Sequence, residues 1–482
     1  MNRSLIPLVI GALWFAAGPV CVHAADAPSP SRSPRLPEVR PSHPCVYVDR
    51  SHNWQFAHDD LADRMLAPSG FDVILSEASL TAVGNLSGFA VVVVQQQWPT
   101  TLSNDEAKLL KGYVEQGGKL VLIAGKGQPA ETLAAGFGFG LTRGGRAPLR
   151  AREPLARHGA PREVPVPAVR CRLRPSPRQT VLIEDADSRP IAAAMTAGKG
   201  AVVVWADDGT YWDFCAQRDA VTNEVASAPT TVALFKWLVD GRNADGKGRV
   251  WRVHAEKEER HGGLTFRYSN PNAEAAGKIM KLVPAVIQTV EKWNGMGPPS
   301  DEPFTLHWLS AAGGGWAGPR AAGVCVYGND PAYPVKVMAH ELTHSTTGPW
   351  PWAFNEAWAS LVGMRAAEAL GHRDSAAGEM KWILEQLDKA DKPRNRLDMM
   401  DSKDAPLKHE YKHKATWMLL AMEKKYGRDF MARFLALRKR TVGDREAIDL
   451  EQTFALFART SGDPGIWRWF QECGVSVKPP AK

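Results

Sequence analysis

The sequence predicts two domains: an N-terminal α/β domain on a mostly parallel sheet, and a C-terminal α+β domain with a small sheet and a mostly helical lobe. Three observations carry this. The chain has 482 residues, too many for one ordinary core. Its first half alternates continuous β-branched runs with helical segments, and strands buried on both faces belong to a parallel sheet. Its C-terminal part has a few short strands and then helical periodicity almost to the end.

Residues 1–24 read as a signal peptide. Arg3 supplies a positive start, the segment from Leu5 to Ala17 a short apolar run, and Val22-His23-Ala24 a cleavage site. Export to a secreted or periplasmic location is therefore expected. A lipid anchor on Cys21 is the lesser alternative, since Gly18-Pro19-Val20 is a poor context for it. No other stretch is long and apolar enough to span a bilayer. Residues 25–44, rich in Pro, Ser and Arg, read as a disordered leader. Export implies an oxidising compartment. Beyond the signal stand Cys45, Cys171, Cys215, Cys325 and Cys473. Pairing within domains would allow one bridge among the first three and one between Cys325 and Cys473. The net charge of +7, without a compact Lys/Arg run, argues against nucleic-acid binding and leaves acidic envelope polymers as partners.

The α/β domain is expected over 45–240. Its strands fall at 45–48, 71–75, 89–94, 120–124 and 201–205, and its helices at 61–66, 104–116 and 229–239. Ser103 and Glu106 form a capping box at the start of the second helix. Residues 143–180 break the pattern and read as a mobile insertion or a peripheral strand pair. A linker at 241–249 contains Asn243 and Gly248. The second domain is expected over 250–475. It begins with strands between 251 and 268, then a long helix at 276–293 and strands at 304–309 and 323–327. Helices follow at 334–347, 354–370, 376–388, 408–426, 428–440, 449–460 and 464–473.

Residues 335–348 read VKVMAHELTHSTTG. Val335, Met338 and Leu342 share the apolar face of a helix. His340 and His344 lie one turn apart, so both imidazoles can reach one Zn²⁺. Glu341 points slightly round the helix and can take a proton from water as general base. A catalytic zinc needs a third ligand from another element and a position open to water. Glu356, one turn into the next helix, has the spacing for it.

His-Glu-Leu-Thr-His, followed by a helix opening Asn355-Glu356-Ala357-x-Ala359, resembles the gluzincin clan of zinc metallopeptidases. The resemblance covers roughly residues 250–475. It implies a zincin fold and a zinc-dependent hydrolase acting on a protein, peptide or glycoprotein, with Glu356 as third ligand and Glu341 as base. It also implies a cleft-lining edge strand at Val324-Cys325-Val326-Tyr327. Clan members use a Tyr or His on a later helix as oxyanion donor, and residues 409–427 resemble that helix. Tyr411 is the favoured donor, with His413 or His409 behind it. Counting back from Gly427, the tyrosine position of the aminopeptidases falls on Lys412. Gly315-Trp316-Ala317 has no carboxylate to grip a free amino terminus, which speaks against aminopeptidase activity. Trp350, Trp352 and Trp358 read as core and wall residues near the metal, or else as an aromatic subsite.

Residues 102–120 of the first domain resemble class I glutamine-amidotransferase-like domains, which implies a flavodoxin-like sheet. The turn Ala124-Gly125-Lys126-Gly127-Gln128 has no nucleophile, so a non-catalytic module is expected. His52, His58 and Asp59 read as caps and satisfied polar contacts rather than ligands. The reading from another class is a glycoprotein- or carbohydrate-binding envelope protein with a structural or vestigial zinc site.

Overall fold

The computed structural model describes residues 36–37 and 42–477, except 56, 96–99, 165–168, 207–226, 244, 262, 299–302, 312, 329, 390–407 and 444–445. The side chains of 387–389 and 408–410 also lie outside the description. So do the expected signal peptide, most of the expected leader, Cys215 and the side chain of His409.

The first apolar runs form β1 (Cys45–Asp49), β2 (Asp72–Ser76), β3 (Val91–Gln95) and β4 (Lys119–Ala124). The segment expected as an insertion or strand pair supplies β5 (Leu141–Arg143), β6 (Leu149–Ala151), β7 (Glu163–Val164) and β8 (Cys171–Leu173). Of these, β5 and β8 make a separate two-stranded sheet. Then come β9 (Thr180–Glu184), β10 (Pro190–Ala197), β11 (Gly200–Ala206) and β12 (Val250–Val253).

Ten strands join in the order β12-β2-β1-β3-β4-β11-β10-β9-β6-β7. Neighbours from β12 to β11 are parallel. Neighbours from β11 to β7 are antiparallel. The sheet is thus mixed, where a mostly parallel one was expected. The difference begins at β10, whose alanines Ala192, Ala193 and Ala194 give little β signal but pair with Val203–Trp205 of β11. A hairpin there extends the sheet without a crossover helix. A second difference is β12. Residues 250–253, expected to open the C-terminal domain, pair with Val73–Ser76 and complete the first sheet's edge.

Both faces of this sheet are covered. Val46 and Val48 point into one core with Leu234, Phe235 and Leu238 of helix α2 (Ala228–Leu238). Tyr47 and Ile74 point into the other with Leu110, Tyr113 and Val114 of α1 (Asn104–Glu115). The capping box on α1 forms, with Ser103 and Glu106 bonding reciprocally.

The second sheet holds β13 (Lys257–His261), β14 (Leu264–Tyr268), β15 (Phe304–Leu309), β16 (Gly315–Ala317) and β17 (Ala321–Cys325), ordered β13-β14-β15-β17-β16. Val324 and Cys325, expected on an edge strand, are interior, because β16 folds back antiparallel outside β17. The edge at this side is Gly315–Ala317. The single helix expected at 276–293 is two, α3 (Ala273–Met280) and α4 (Val283–Asn294). Pro284 sits at the start of α4, where a missing N–H is harmless; inside one continuous helix it would clash.

The remaining lobe is helical: α5 (Tyr333–Thr347), α6 (Trp352–Ala369), α7 (Arg373–Lys389), α8 (Lys408–Tyr426), α9 (Phe430–Thr441), α10 (Leu450–Ser461) and α11 (Ile466–Glu472). Nearly every side of α6 is buried, which makes it the lobe's central helix. The Cys325–Cys473 bridge that pairing within domains would allow is not formed. Both are free, buried thiols on separate elements. Among the described residues no helix is long and apolar enough to cross a membrane.

The two lobes meet where β1 ends. The Trp54 N–H donates to Ser310 O at 2.9 Å, and the Ser310 hydroxyl donates to Ser51 O. Nearby, the Ser79 N–H and hydroxyl donate to the Glu256 carboxylate at 3.1 and 2.8 Å.

Candidate metal centre

On α5 the expected apolar face is realised: Val335, Met338 and Leu342 are fully buried. That burial turns His340 and His344 toward a cleft of about 1390 Å³. Gly348 ends α5, and Pro351 opens α6. The reversal lays Glu356 of α6 against the two histidines. Arg438 of α9 holds the reversal in place. Its guanidinium donates to the carbonyls of Thr347, of Pro349 at 3.1 Å, and of Glu446 at 2.5 Å.

The three expected ligands converge. His340 Nε2 and His344 Nε2 are 3.0 Å apart. Glu356 places Oε2 3.5 Å from His340 Nε2 and Oε1 3.3 Å from His344 Nε2. Four-coordinate zinc with bonds of about 2.0–2.1 Å has donor–donor edges of about 3.3–3.4 Å. The donors therefore fit a Zn²⁺ without rearrangement of either helix.

The outer nitrogens set the tautomers. Asn355 Oδ1 lies 3.0 Å from His344 Nδ1 and accepts from Trp350 Nε1 at 2.8 Å. An amide oxygen can only accept, so His344 Nδ1 carries the proton and Nε2 presents its lone pair. Ser360 Oγ lies 3.4 Å from His340 Nδ1. The Asn-Glu pair on α6 thus supplies both a ligand and the group that orients another ligand. Asn355 had entered the sequence argument only as part of a signature.

Charge follows the same design. Burial drives the His340 pKa down to about 4, so its imidazole is neutral and able to ligate. Burial opposes ionisation of Glu356, but hydrogen bonds and charge from His340 and His344 outweigh it and hold the carboxyl far below the usual range. Burial pushes Glu341 up to about 7, close to the value an efficient base needs near neutrality.

Two glycines make this arrangement possible. A Cβ on Gly315 would sit 2.7 Å from Glu341 Oε1 and 2.6 Å from Gly323 O. The bare backbone of β16 is therefore what gives the Glu341 carboxylate its room. A Cβ on Gly323 would overlap the Trp316 indole at 2.0 Å, so Trp316 lies flat across β17. The three-glycine run Gly313-Gly314-Gly315 is the signal in the sequence for this close approach.

Tyr411 is not among the cleft-lining residues. It is 2% exposed and packs in the helical core. One residue on, Lys412 lines the cleft and places Nζ 3.8 Å from Glu356 Oε2. A rotation of about 100° per residue separates neighbouring side chains on a helix, and packing of α8 against α6 selects which of them faces the metal. His413 is buried edge-on against Trp382, with ring centroids 5.1 Å apart. Of the three tryptophans, Trp350 and Trp352 line the cleft. Trp358 is wholly buried and donates to Asn294 Oδ1 at 2.8 Å.

In the first domain, His52 is buried between Asp49 at 2.7 Å and Glu106 at 3.2 Å. His58 meets Gln95 at 3.2 Å, and Asp59 pairs with Arg50 at 2.6 Å. His52 and Asp59 are thus satisfied polar contacts, whereas His58 is paired only through Nε2 and its buried Nδ1 has no hydrogen-bond partner among the described residues. At the turn after β4, Lys126 and the Gly127 N–H both engage Glu131.

No family model matches the chain, and no curated protein matches it. Solved structures resemble it partially. Yeast LTA4 hydrolase in complex with bestatin aligns at a TM-score of 0.33 and 17% identity, over 45% of this chain and 39% of that one. The M1 zinc metallopeptidase of Deinococcus radiodurans aligns at 0.33 and 14%, over 45% and 49%. The mmIFT52 N-terminal domain aligns at 0.30 and 15%, over 41% of this chain and 98% of that one. This chain thus spans less than half the length of either metallopeptidase. At such scores the functional reading rests on the site itself.

Proposed function

We propose that this protein is an exported zinc-dependent peptidase of gluzincin type. The observation that carries the reading is the convergence of His340, His344 and Glu356 from two antiparallel helices, with Glu341 beside them at the floor of a large cleft. A cleft of about 1390 Å³ exceeds the ~300–1,000 Å³ of small-ligand sites and suits a polymer. Edge strand β16 offers backbone groups with which an extended peptide can pair.

When bound, zinc supplies Lewis acidity, polarising the scissile carbonyl and making water acidic. Glu341 takes the proton from the attacking water and passes it to the leaving amine. Lys412, with its ammonium at the same end of the cleft, stabilises the negative charge that grows on the carbonyl oxygen. Asn355 and Trp350 hold His344 in its ligating tautomer. Among the described residues no fourth protein donor joins the three. That favours an open, catalytic site over the structural zinc of the envelope-binding alternative.

Incubation with a proteome-derived peptide library, with chelated enzyme as control, should reveal zinc-dependent cleavage. Glu341→Gln should keep its zinc and lose roughly 10²–10⁴-fold in rate, the usual scale of a general base. A zinc-loaded Glu341→Gln protein with full activity would sink the mechanism.

A further inference from the structure

A second set of metal-binding side chains lies where the two sheets meet. Glu77 follows β2 directly and His254 follows β12 directly. The parallel register pairs Ser76 with Val253, which brings positions 77 and 254 out side by side, and the Glu77 N–H donates to Val253 O at 2.9 Å. From the other sheet, β15 presents His307 to the same point. One ligand atom from each of Glu77, His254 and His307 lies within 4.8 Å of the other two. His307 Nδ1 is 3.5 Å from Glu77 Oε2, already close to the donor–donor edge of about 3.4 Å around zinc. The rings of His254 and His307 are 5.1 Å apart.

An independent observation points to a ligand here. His307 is 5% exposed, yet its Nδ1 makes no hydrogen bond of good geometry, its acceptor Glu77 Oε2 lying 3.5 Å away. A buried imidazole nitrogen so poorly paired is costly to the fold. A cation between the three side chains would remove that cost. His254 is exposed and can turn to close the remaining gap. The neighbouring Arg50 is already engaged by Asp59 at 2.6 Å, which leaves Glu77 to the cation.

We propose that Glu77, His254 and His307 bind a second divalent transition-metal ion, with zinc best suited to two imidazoles and one carboxylate. The ion joins the first sheet to the second. It also reaches the peptidase cleft. The His307 ring packs on Trp316, with centroids 5.4 Å apart, and Trp316 belongs to β16, the strand against which Glu341 rests. The site is structural or regulatory in position, since its ligands do not line the cleft.

The test uses full-length protein in which the first site has been disabled. His344→Ala, dialysed against buffered zinc and measured by elemental analysis, should retain one zinc per chain, and zinc should raise its melting temperature. His344→Ala with His254→Ala should retain none and lose the thermal shift. His254 is exposed, so the double variant should fold. Absence of zinc from the His344→Ala protein would overturn the proposal, as would undiminished zinc in the double variant. Both results are independent of whether the His340 site is catalytic. In the single variant His254→Ala, the zinc content of the wild type should fall by one and hydrolysis should persist.

Discussion

Lys412 and Tyr411 stand side by side in sequence and face opposite ways. The lysine is in the cleft 3.8 Å from a metal ligand, and the tyrosine is in the core. An ammonium this close to the Glu356 carboxylate is well placed for an oxyanion developing at the same point. Lys412→Met should lower kcat by about 10–10²-fold at unchanged zinc content. Tyr411→Phe should keep kcat within about twofold and act, if at all, on stability. Steady-state kinetics with metal analysis on both variants checks this. The opposite ranking would restore the tyrosine. The sequence pointed to this turn of α8 but not to which of its residues lines the cleft, because one position of helical phase depends on how α8 packs on α6.

At the level of elements, the centre is an α-hairpin clamped from outside. Thr347 and Pro349 bracket the reversal between α5 and α6, and one arginine from α9 caps both carbonyls. Arg438 is 3% exposed, and its loss would take this donor from the buried Thr347 carbonyl. Arg438→Ala should cost on the order of 3 kcal/mol. It should also weaken zinc binding, because Glu356 would lose its fixed position opposite His344. Chemical denaturation and competitive zinc titration measure the two effects. Elements whose signal is local were legible: the capping box of α1, the apolar face of α5 and the extent of α8 at 408–426. Elements whose signal is a partner were not. The alanines of β10 are strand only because β11 is beside them, and β16 is too short to announce itself.

For the molecule as a whole, the junction of the lobes is built on buried polar groups at the end of β1. His52 is central to them. Burial alone would lower its pKa, but the carboxylates of Asp49 and Glu106 outweigh burial and push it up to about 10, from an ordinary 6.5. A raised folded-state value means that the charged imidazole stabilises the fold. That contribution is complete below about pH 6.5 and is lost as pH rises through about 10. The wild type should therefore weaken between pH 7 and 10 more steeply than His52→Gln, as measured by urea denaturation across that range. Equal slopes would remove His52 from the account. The sequence by itself determined that His340, Glu341, His344 and Glu356 come together, because helix spacing and a short reversal leave those residues few other places to go. It also determined that two main sheets are present and that the last part of the chain is helical. Only the tertiary structure decided that 250–253 belongs to the first sheet, that β16 takes the cleft edge, that Lys412 enters the cleft beside Glu356, and that Glu77, His254 and His307 meet. Those are contacts between residues far apart in the chain. They depend on sheet order and helix phase, which local periodicity does not encode.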